Sequence, residues 1–386
     1  MNIAVITSLF PSEPAPFQGV FAERRWLGMT ARGHGIQVIQ PVPHTPGPFA
    51  RGHHKQIAAM AREEDRGVLV HRPRYWHWPG RALGNARRFA ARALSELDAL
   101  ACSPDVVVCD YAWPASAVAP ALRKRGIACV VNGRGSDVLE VCGEAGLGDE
   151  LRSNLEAAGH WCAVSQDLVD AMDGLTGHAG HGVLVPNGVD TDLFQPRDQA
   201  CARERLGLNT ERPIVLVVGH LIPRKDPLLA LKAFASGAPQ DAQLVFVGAG
   251  SLAPHVQHNA MNYGLSERVR LAGERPPQEL ADWYTACDLL LLCSTREGRP
   301  NVVLEALASG RNVLATDAGG TAEILPEPRM LGTDRDPEVL GAQLADLLAR
   351  PSSARELASS VAHLSWSRSL ETLEECLQQA RAGTGR

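Results

Sequence analysis

The segment 294–310, STREGRPNVVLEALASG, places two acids, Glu297 and Glu305, eight positions apart on either side of Pro300-Asn301. Pro and Asn before an apolar run read as a loop entering a helix, and Gly310 reads as its end. The first N–H groups of such a helix, here at Asn301 and Val302, lack intrahelical acceptors and attract anions. A loop acid such as Glu297, beside Gly298, can accept hydrogen bonds from a neutral hydroxylated group. Glu305, inside the helix, can accept them from a diol such as ribose, with phosphates lying on the amides between. The same residues also have a purely structural use, with Asn301 as a cap, Gly310 as a terminator and Glu305 as a surface acid.

A second segment, 218–227 (VGHLIPRKDP), also joins a strand to a helix. Gly219 permits close backbone approach next to His220. Arg224 and Lys225 supply positive charge suited to a diphosphate. A solvated basic loop is the alternative use of such a pair.

A third segment, Gly248-Ala249-Gly250-Ser251-Leu252-Ala253, fits the dinucleotide-binding pattern, with Glu274 about 20 residues on as a ribose partner. An NAD-dependent dehydrogenase therefore competes as a reading. The fingerprint belongs in the first strand–helix unit of a domain, however, and this one falls in the second. His178 and His181, and His53-His54, have spacings a metal could use, but no third ligand is near in sequence and loops are expected there. No Gly-x-Ser-x-Gly elbow, Walker loop or His-Glu-x-x-His is present.

The elements that carry these segments alternate along the chain. Strands are expected at 2–7, 36–39, 68–71, 105–109, 127–131, 161–164 and 183–185, and helices at 21–31, 82–100, 115–125 and 166–175. The turn Pro186-Asn187-Gly188 and the polar stretch 195–212 mark a boundary. The pattern then restarts, with strands at 214–218, 243–247, 269–272, 288–292 and 312–315. Helices are expected from 227 and at 278–286, 302–309, 337–348, 353–362 and 367–379. Continuous apolar strands without polar alternation indicate parallel sheets covered on both faces. The fold class is thus α/β, with two doubly wound Rossmann-like domains facing a cleft at the carboxyl ends of their strands. The expected division is 1–186, joined by a last helix over 367–386, and 187–366.

The chain of 386 residues suits two such domains. It is 45% hydrophobic and 21% charged, with a net charge of -5, which excludes a disordered chain and argues against nucleic acid as partner. The charge is uneven: from Arg66 to Arg92 there are seven Arg and no acid. Nine cysteines form no CxxC pair, and buried thiols in a reducing cytosol are expected. The N-terminus lacks the basic region and cleavage site of a signal peptide, and no apolar run reaches the length of a membrane span.

Segments 218–227 and 294–310 together resemble the retaining GT-B glycosyltransferases of family 4, exopolysaccharide-type group 1 members included. That family carries a Gly-x-Leu-x-x-x-Lys loop and a Glu-x7-Glu signature of the form EGxPNxxLEAxAxG. Gly298, Pro300, Asn301, Leu304, Ala306, Ala308 and Gly310 match around Glu297 and Glu305. The junction 185–190 (VPNGVD), the stretch 315–323 with Gly319, Gly320 and Glu323, and Gln18-Gly19-Val20-Phe21 near the N-terminus are also similar. Ser365-Trp366 resembles the start of the family's helix that crosses back to the first domain.

The resemblance implies a transferase that moves a hexosyl group from a UDP- or GDP-linked sugar to a glycan or lipid-linked acceptor. The C-terminal domain would hold the donor, through Gly219, His220, Arg224, Lys225, Gly248, Glu297, Gly298, Pro300, Asn301, Val302 and Glu305. Lys225 and Arg224 would neutralise the diphosphate, Glu297 would contact the transferred sugar, and Glu305 would hold the ribose. No metal or cofactor is implied, because cations and a helix N-terminus do that work. His220 stands where the family has Arg. Two family histidines are replaced by Asp110 and by Arg134, the latter in Arg134-Gly135-Ser136-Asp137. Gly19, Asp110, Arg134 and Asp137 would face acceptor and sugar, Asp137 either catalytically or as a cap. A sugar-nucleotide-binding protein without turnover is the non-enzyme alternative that the missing histidines raise. A cytoplasmic location, at the inner face of the membrane if the acceptor is lipid-linked, follows from the same resemblance. The stretch 72–81 (RPRYWHWPGR), with Arg87, Arg88 and Arg92 on the next helix, reads either as a solvated loop and helix face or as a peripheral membrane patch.

Overall fold

The computed structural model describes residues 1–44, 53–144 and 146–383, with the side chains of His53 and His54 outside the described set. The chain divides into two units, Met1–Asn187 with the segment from Trp366 onward, and Gly188–Ser365.

Among the described residues the first unit has ten strands: β1 Asn2–Thr7, β2 Gly35–Ile39, β3 Val42–His44, β4 Glu63–Asp65, β5 Leu69–His71, β6 Arg74–Trp76, β7 Val106–Asp110, β8 Ala128–Gly133, β9 Trp161–Ala163 and β10 Val183–Leu184. Eight of them form one sheet in the order β10-β9-β8-β7-β1-β2-β5-β4, and β3 pairs with β6 separately. All neighbours in the large sheet are parallel except β4 and β5. The continuous apolar strands have the expected cause. Along β1, Ala4 and Ile6 enter one core and Ile3 and Val5 the other; β7 does the same with Val107 and Cys109 against Val106 and Val108. Successive side chains point to opposite faces, so a strand buried on both has no polar alternation.

The last helix, Trp366–Gly383, belongs to this unit. Leu370, Leu373, Leu377 and Ala380 recur at helical spacing and pack beside Val5, Trp26 and Val106. Each fully buried Leu contributes about 1.5–3 kcal/mol. Glu374 on the same helix takes Arg32 at 2.9 Å and faces His34 at 3.3 Å.

Some boundaries differ from expectation. The helix that starts at Ala82 ends at Leu97, because the N–H groups of Ala99 and Leu100 bond carbonyls three residues back in a tightened turn. The expected helix 115–125 is three short pieces, Ala112–Ala115, Ser116–Val118 and Ala119–Lys124, because Pro114 and Pro120 interrupt the hydrogen-bond ladder. Helix His53–Ala59 stands where a loop was expected at His53-His54, and helix Gln199–Arg205 lies inside the polar stretch that marks the boundary. Helices Ser136–Cys142 and Leu147–Ala158 had no counterpart in the sequence pattern either. They are short and lie among Gly133, Gly135, Gly143, Gly146 and Gly148, which read as loop punctuation.

The second unit has β11 Ile214–Val218, β12 Gln243–Val247, β13 Val269–Gly273, β14 Leu289–Leu292, β15 Asn312–Thr316 and β16 Leu331–Gly332. They form a parallel sheet in the order β13-β12-β11-β14-β15-β16. The chain runs outward from β11 to β13, then returns to β14 and runs out the other way. The carboxyl ends of β11 and β14 therefore flank the point where the winding reverses, the place where open α/β sheets bind ligands.

Among the described residues, no helix is long and apolar enough to cross a membrane.

Candidate functional site

The two segments singled out by their chemistry leave the sheet at this reversal point, one after β11 and one after β14. Lys225 ends the short 3₁₀ turn Pro223–Lys225. Its Nζ donates to Oε1 of Glu297 at 2.5 Å, and Ser294 Oγ donates to the same oxygen at 2.6 Å. Arg224 Nη1 lies 3.7 Å from Oε2 of Glu297 and donates to the Arg296 carbonyl at 3.2 Å. The two loops are also joined by backbone, since Thr295 N–H donates to the Arg224 carbonyl at 2.8 Å. Glu297 is buried, and its charge is balanced by cations on the neighbouring loop.

Helix Asn301–Ala308 follows directly, with Pro300 as its N-cap. Asn301 is therefore the first helical residue rather than the cap, and Val302 is the second. Gly310 lies just past the end with φ 72, the left-handed conformation of a helix terminator. Glu305 accepts a 2.9 Å hydrogen bond from the Tyr284 hydroxyl, so it is an oriented acid and not a free surface one. Gly298 accepts from Gly320 N–H at 3.0 Å through its carbonyl. That bond lays the loop after β15 along the loop after β14. A Cβ on Gly319 would overlap the Glu297 carbonyl oxygen.

The Gly248-Ala249-Gly250 pattern has a packing cause. Leu221 N–H donates to the Ala249 carbonyl at 2.9 Å and Gly219 N–H to the Val247 carbonyl at 3.0 Å. A Cβ at Gly250 would overlap the Leu221 carbonyl, and one at Gly248 the Gly219 carbonyl. The glycines let the loop after β12 press on the loop that leads to Lys225. His220, in that loop, is half-exposed and sits 4.0 Å from Glu274.

In the first unit, Asp110 ends β7 and Arg134 follows β8. Asp110 is buried and accepts from Arg134 Nε at 2.7 Å, Arg134 Nη2 at 2.9 Å, Trp26 Nε1 at 2.7 Å and Asn132 Nδ2 at 2.7 Å. Burial disfavours its charge, but the Arg134 guanidinium, Arg25 and the Trp26 N–H outweigh it and hold the carboxyl down at about 2. Arg134 Nη1 donates to Asn187 Oδ1 at 2.8 Å, and Arg25 Nη2 to the same oxygen at 3.2 Å and to the Val185 carbonyl at 3.0 Å. Burial, with Arg134 beside it, pushes Arg25 down to about 9.

Asp137 accepts from the backbone N–H groups of Ala112 at 2.5 Å, Gly135 at 2.7 Å and Arg134 at 3.0 Å. Burial pushes its carboxyl up to about 7 against these donors. Its oxygens hold the turn between β8 and helix Ser136–Cys142 from inside the first helical turn, while Gly135 is the N-cap and carries no side-chain cap bond. Gly19 is the N-cap of helix Val20–Ala31, the helix that carries Arg25 and Trp26.

Sequence reasoning missed Ser294, Tyr284 and Arg335. Arg335 donates to Asp226 Oδ2 at 2.6 Å and to the Ser294 carbonyl at 2.9 Å, tying the residue after Lys225 to the residue after Cys293. Ser294 was legible from its place three residues before Glu297, but Tyr284 and Arg335 lie in other elements and carry no local signal.

An open hollow of about 680 Å³ lies elsewhere on the first unit. Arg74, Tyr75, Trp76, Trp78, Arg88 and Arg92 line it, and Trp76 and Trp78 are exposed. The nine cysteines are all unpaired, and six are buried.

The family description "Glycosyl transferases group 1" matches residues 198–362, and "Glycosyltransferase Family 4" matches residues 26–193. The chain is 27% identical over 370 residues to a protein named for teichuronic acid biosynthesis, the glycosyltransferase TuaC of Bacillus subtilis (strain 168), covering 94% of this chain and 88% of that one. A D-inositol 3-phosphate glycosyltransferase of Segniliparus rotundus is 34% identical over 212 residues, which span 52% of this chain and 47% of that protein. Among solved structures, a sucrose-phosphate synthase from Thermosynechococcus elongatus superposes with a TM-score of 0.79 at 20% identity, over 99% of this chain and 100% of that one. Anabaena Alr3699/HepE in complex with UDP gives 0.73 at 20% identity, over 98% and 100%.

Proposed function

Because the chain belongs to the group 1, family 4 glycosyltransferases, enzymes of the GT-B fold, we propose that it transfers a hexosyl group, with retention, from a UDP- or GDP-linked sugar to a glycan or lipid-linked acceptor in cell-surface polysaccharide biosynthesis. The observation that carries this reading is the Lys225–Glu297–Arg224 cluster at the reversal point of the second sheet, next to the N-terminus of helix Asn301–Ala308.

Lys225 and Arg224 take the donor diphosphate, with the first amides of that helix adding to the field. Diphosphate binding draws Lys225 toward a second anion and frees Glu297 oxygens for hydroxyls of the transferred sugar. Glu305, oriented by Tyr284, takes the ribose diol. As the leaving diphosphate gains charge, the same cations stabilise it, so the residues themselves supply what a divalent metal supplies in other transferases. The attacking acceptor hydroxyl approaches on the face the diphosphate leaves and passes its proton to the departing diphosphate oxygen, and no side chain bonds covalently to the sugar.

The acceptor side belongs to the first unit. Its exposed Trp76 and Trp78 beside Arg88 and Arg92 suit an anionic membrane surface, as a lipid-linked acceptor requires. In this reading the protein works in the cytoplasm at the inner face of the membrane, and its unpaired thiols, stable in a reducing compartment, support that location.

The deciding experiment is a screen of nucleotide sugars by thermal shift and by slow donor hydrolysis. One donor class should raise the unfolding midpoint and be hydrolysed. Stabilisation by none of the UDP- and GDP-sugars sinks the reading.

A further inference from the structure

His71 closes β5, and its imidazole is buried with neither ring nitrogen hydrogen-bonded. An imidazole buried without a partner is costly, because both nitrogens have lost water. Two carboxylates converge on it from different elements. Glu63 comes from the neighbouring antiparallel strand β4, directly opposite in register. Glu96 comes from helix Ala82–Leu97. His71 Nδ1 lies 3.5 Å from an oxygen of each. One ligand atom from each residue can be chosen so that all lie within 4.8 Å of one another.

The spacing is that of ligands around a small cation. A tetrahedral ion with bonds of about 2.0–2.2 Å holds its ligand atoms roughly 3.3–3.6 Å apart. We propose that Glu63, His71 and Glu96 form a binding site for one divalent transition-metal ion of the zinc type. One imidazole with two carboxylates suits zinc, cobalt or manganese better than the all-oxygen shells of calcium and magnesium. Glu63 is largely exposed, which gives the ion a path in and leaves its remaining position to water.

The site lies in a different unit from Lys225 and Glu297, so its role is structural. An ion there ties the β4–β5 edge of the sheet to helix Ala82–Leu97, the helix that carries Arg88 and Arg92. It also neutralises two facing carboxylates and gives Nδ1 of the buried imidazole a direct bond in place of two 3.5 Å contacts. Binding to the folded chain alone stabilises it by an amount that grows with the logarithm of ion concentration above the dissociation constant.

The test is calorimetric titration of the full-length, chelator-treated protein with Zn²⁺, repeated with Co²⁺ for its visible absorption. The expected result is one saturable equivalent, a raised unfolding midpoint and a Co²⁺ band. His71→Gln and Glu96→Gln should each weaken this site by at least about tenfold. His181→Gln, in the separate His178/His181 group, should leave it unchanged. Two variants on different elements keep the result readable if one folds poorly. No saturable site, or one insensitive to both His71→Gln and Glu96→Gln, overturns the proposal. Neither result bears on the nucleotide-sugar reading, since the titration needs no donor.

Discussion

Lys225 and Glu297 are 72 positions apart in the chain and meet at 2.5 Å. Topology brings them together. Lys225 lies in the loop after β11 and Glu297 in the loop after β14, and these strands are hydrogen-bonded neighbours at the point where the sheet reverses. Any βα unit places its loop at the carboxyl end of its strand, and only the reversal leaves two such loops side by side without a crossing helix between them. Each of the two residues should therefore matter to turnover. Lys225→Ala and Glu297→Ala are expected to lower kcat by about 10²–10³-fold, the loss typical of one key electrostatic group. Steady-state kinetics with the donor found in the screen checks this. Near-normal turnover in both variants refutes the assignment.

Tyr284 contributes through Glu305. Its hydroxyl fixes one carboxylate oxygen at 2.9 Å, and its ring is buried against Phe194 with centroids 5.6 Å apart. Tyr284→Phe keeps the ring packing and removes the donor. A hydrogen bond to a charged acceptor is worth about 1.5–3 kcal/mol. The expected outcome is a rise of roughly tenfold in KM for the nucleotide sugar with kcat little changed. A fall in kcat at constant KM means that Glu305 does not serve the ribose.

Much of this second site was legible because its residues are local. The spacing of Glu297, Pro300, Asn301 and Glu305 within one loop and helix reveals both the element and its chemistry. Tyr284 is different: within helix Pro277–Ala286 it reads as one more apolar position, and its partner is 21 residues away. In the first unit, Asp110 and Arg134 were visible as departures from a pattern, but not as partners. Their pairing arises because β7 and β8 are adjacent and both side chains leave at the same end. The strands were legible from apolar runs, whereas helices Ser136–Cys142 and Leu147–Ala158 were hidden by glycines whose role depends on tertiary context.

The Asp110–Arg134 pair should contribute measurably to the acid stability of the first unit. Its members are nearly unexposed, at 1% and 3% side-chain accessibility. Asp110→Asn removes one charge and leaves Arg134 uncompensated, which costs about 3–5 kcal/mol. The unfolding midpoint should fall by roughly 6–20 °C, at 2–4 °C per kcal/mol for a unit of this size. The pH dependence has a definite sign. The Asp110 carboxyl is held at about 2, below its ordinary 3.8, so folding favours its charged form. The pair's contribution is complete above pH 3.8 and is lost as pH falls through about 2, by about 2 kcal/mol. Urea unfolding at pH 4.5 and pH 2.5 should show a larger loss for the native chain than for Asp110→Asn. Equal losses rule out Asp110 as the group responsible.

The basic helix face gives the last test. Arg87 is 72% exposed, with its nearest acid, Glu150, at 3.9 Å. Arg88 and Arg92 line the hollow that Trp76 and Trp78 flank. Near an anionic membrane each Arg contributes about 1 kcal/mol, and exposed indoles settle at the headgroup level. The protein should therefore co-sediment with phosphatidylglycerol vesicles and much less with phosphatidylcholine ones. Because the attraction is Coulombic, binding should also weaken as salt rises, over a screening length of about 10 Å at 0.1 M. Replacing Arg87, Arg88 and Arg92 together by Glu removes about 3 kcal/mol and adds repulsion, so affinity should drop by more than about a hundredfold. Trp76→Ala with Trp78→Ala should weaken binding at all salt concentrations, since their contribution is apolar. Co-sedimentation unchanged by the triple Glu variant would mean that this helix face is simply solvated and that the acceptor reaches the first unit by another surface.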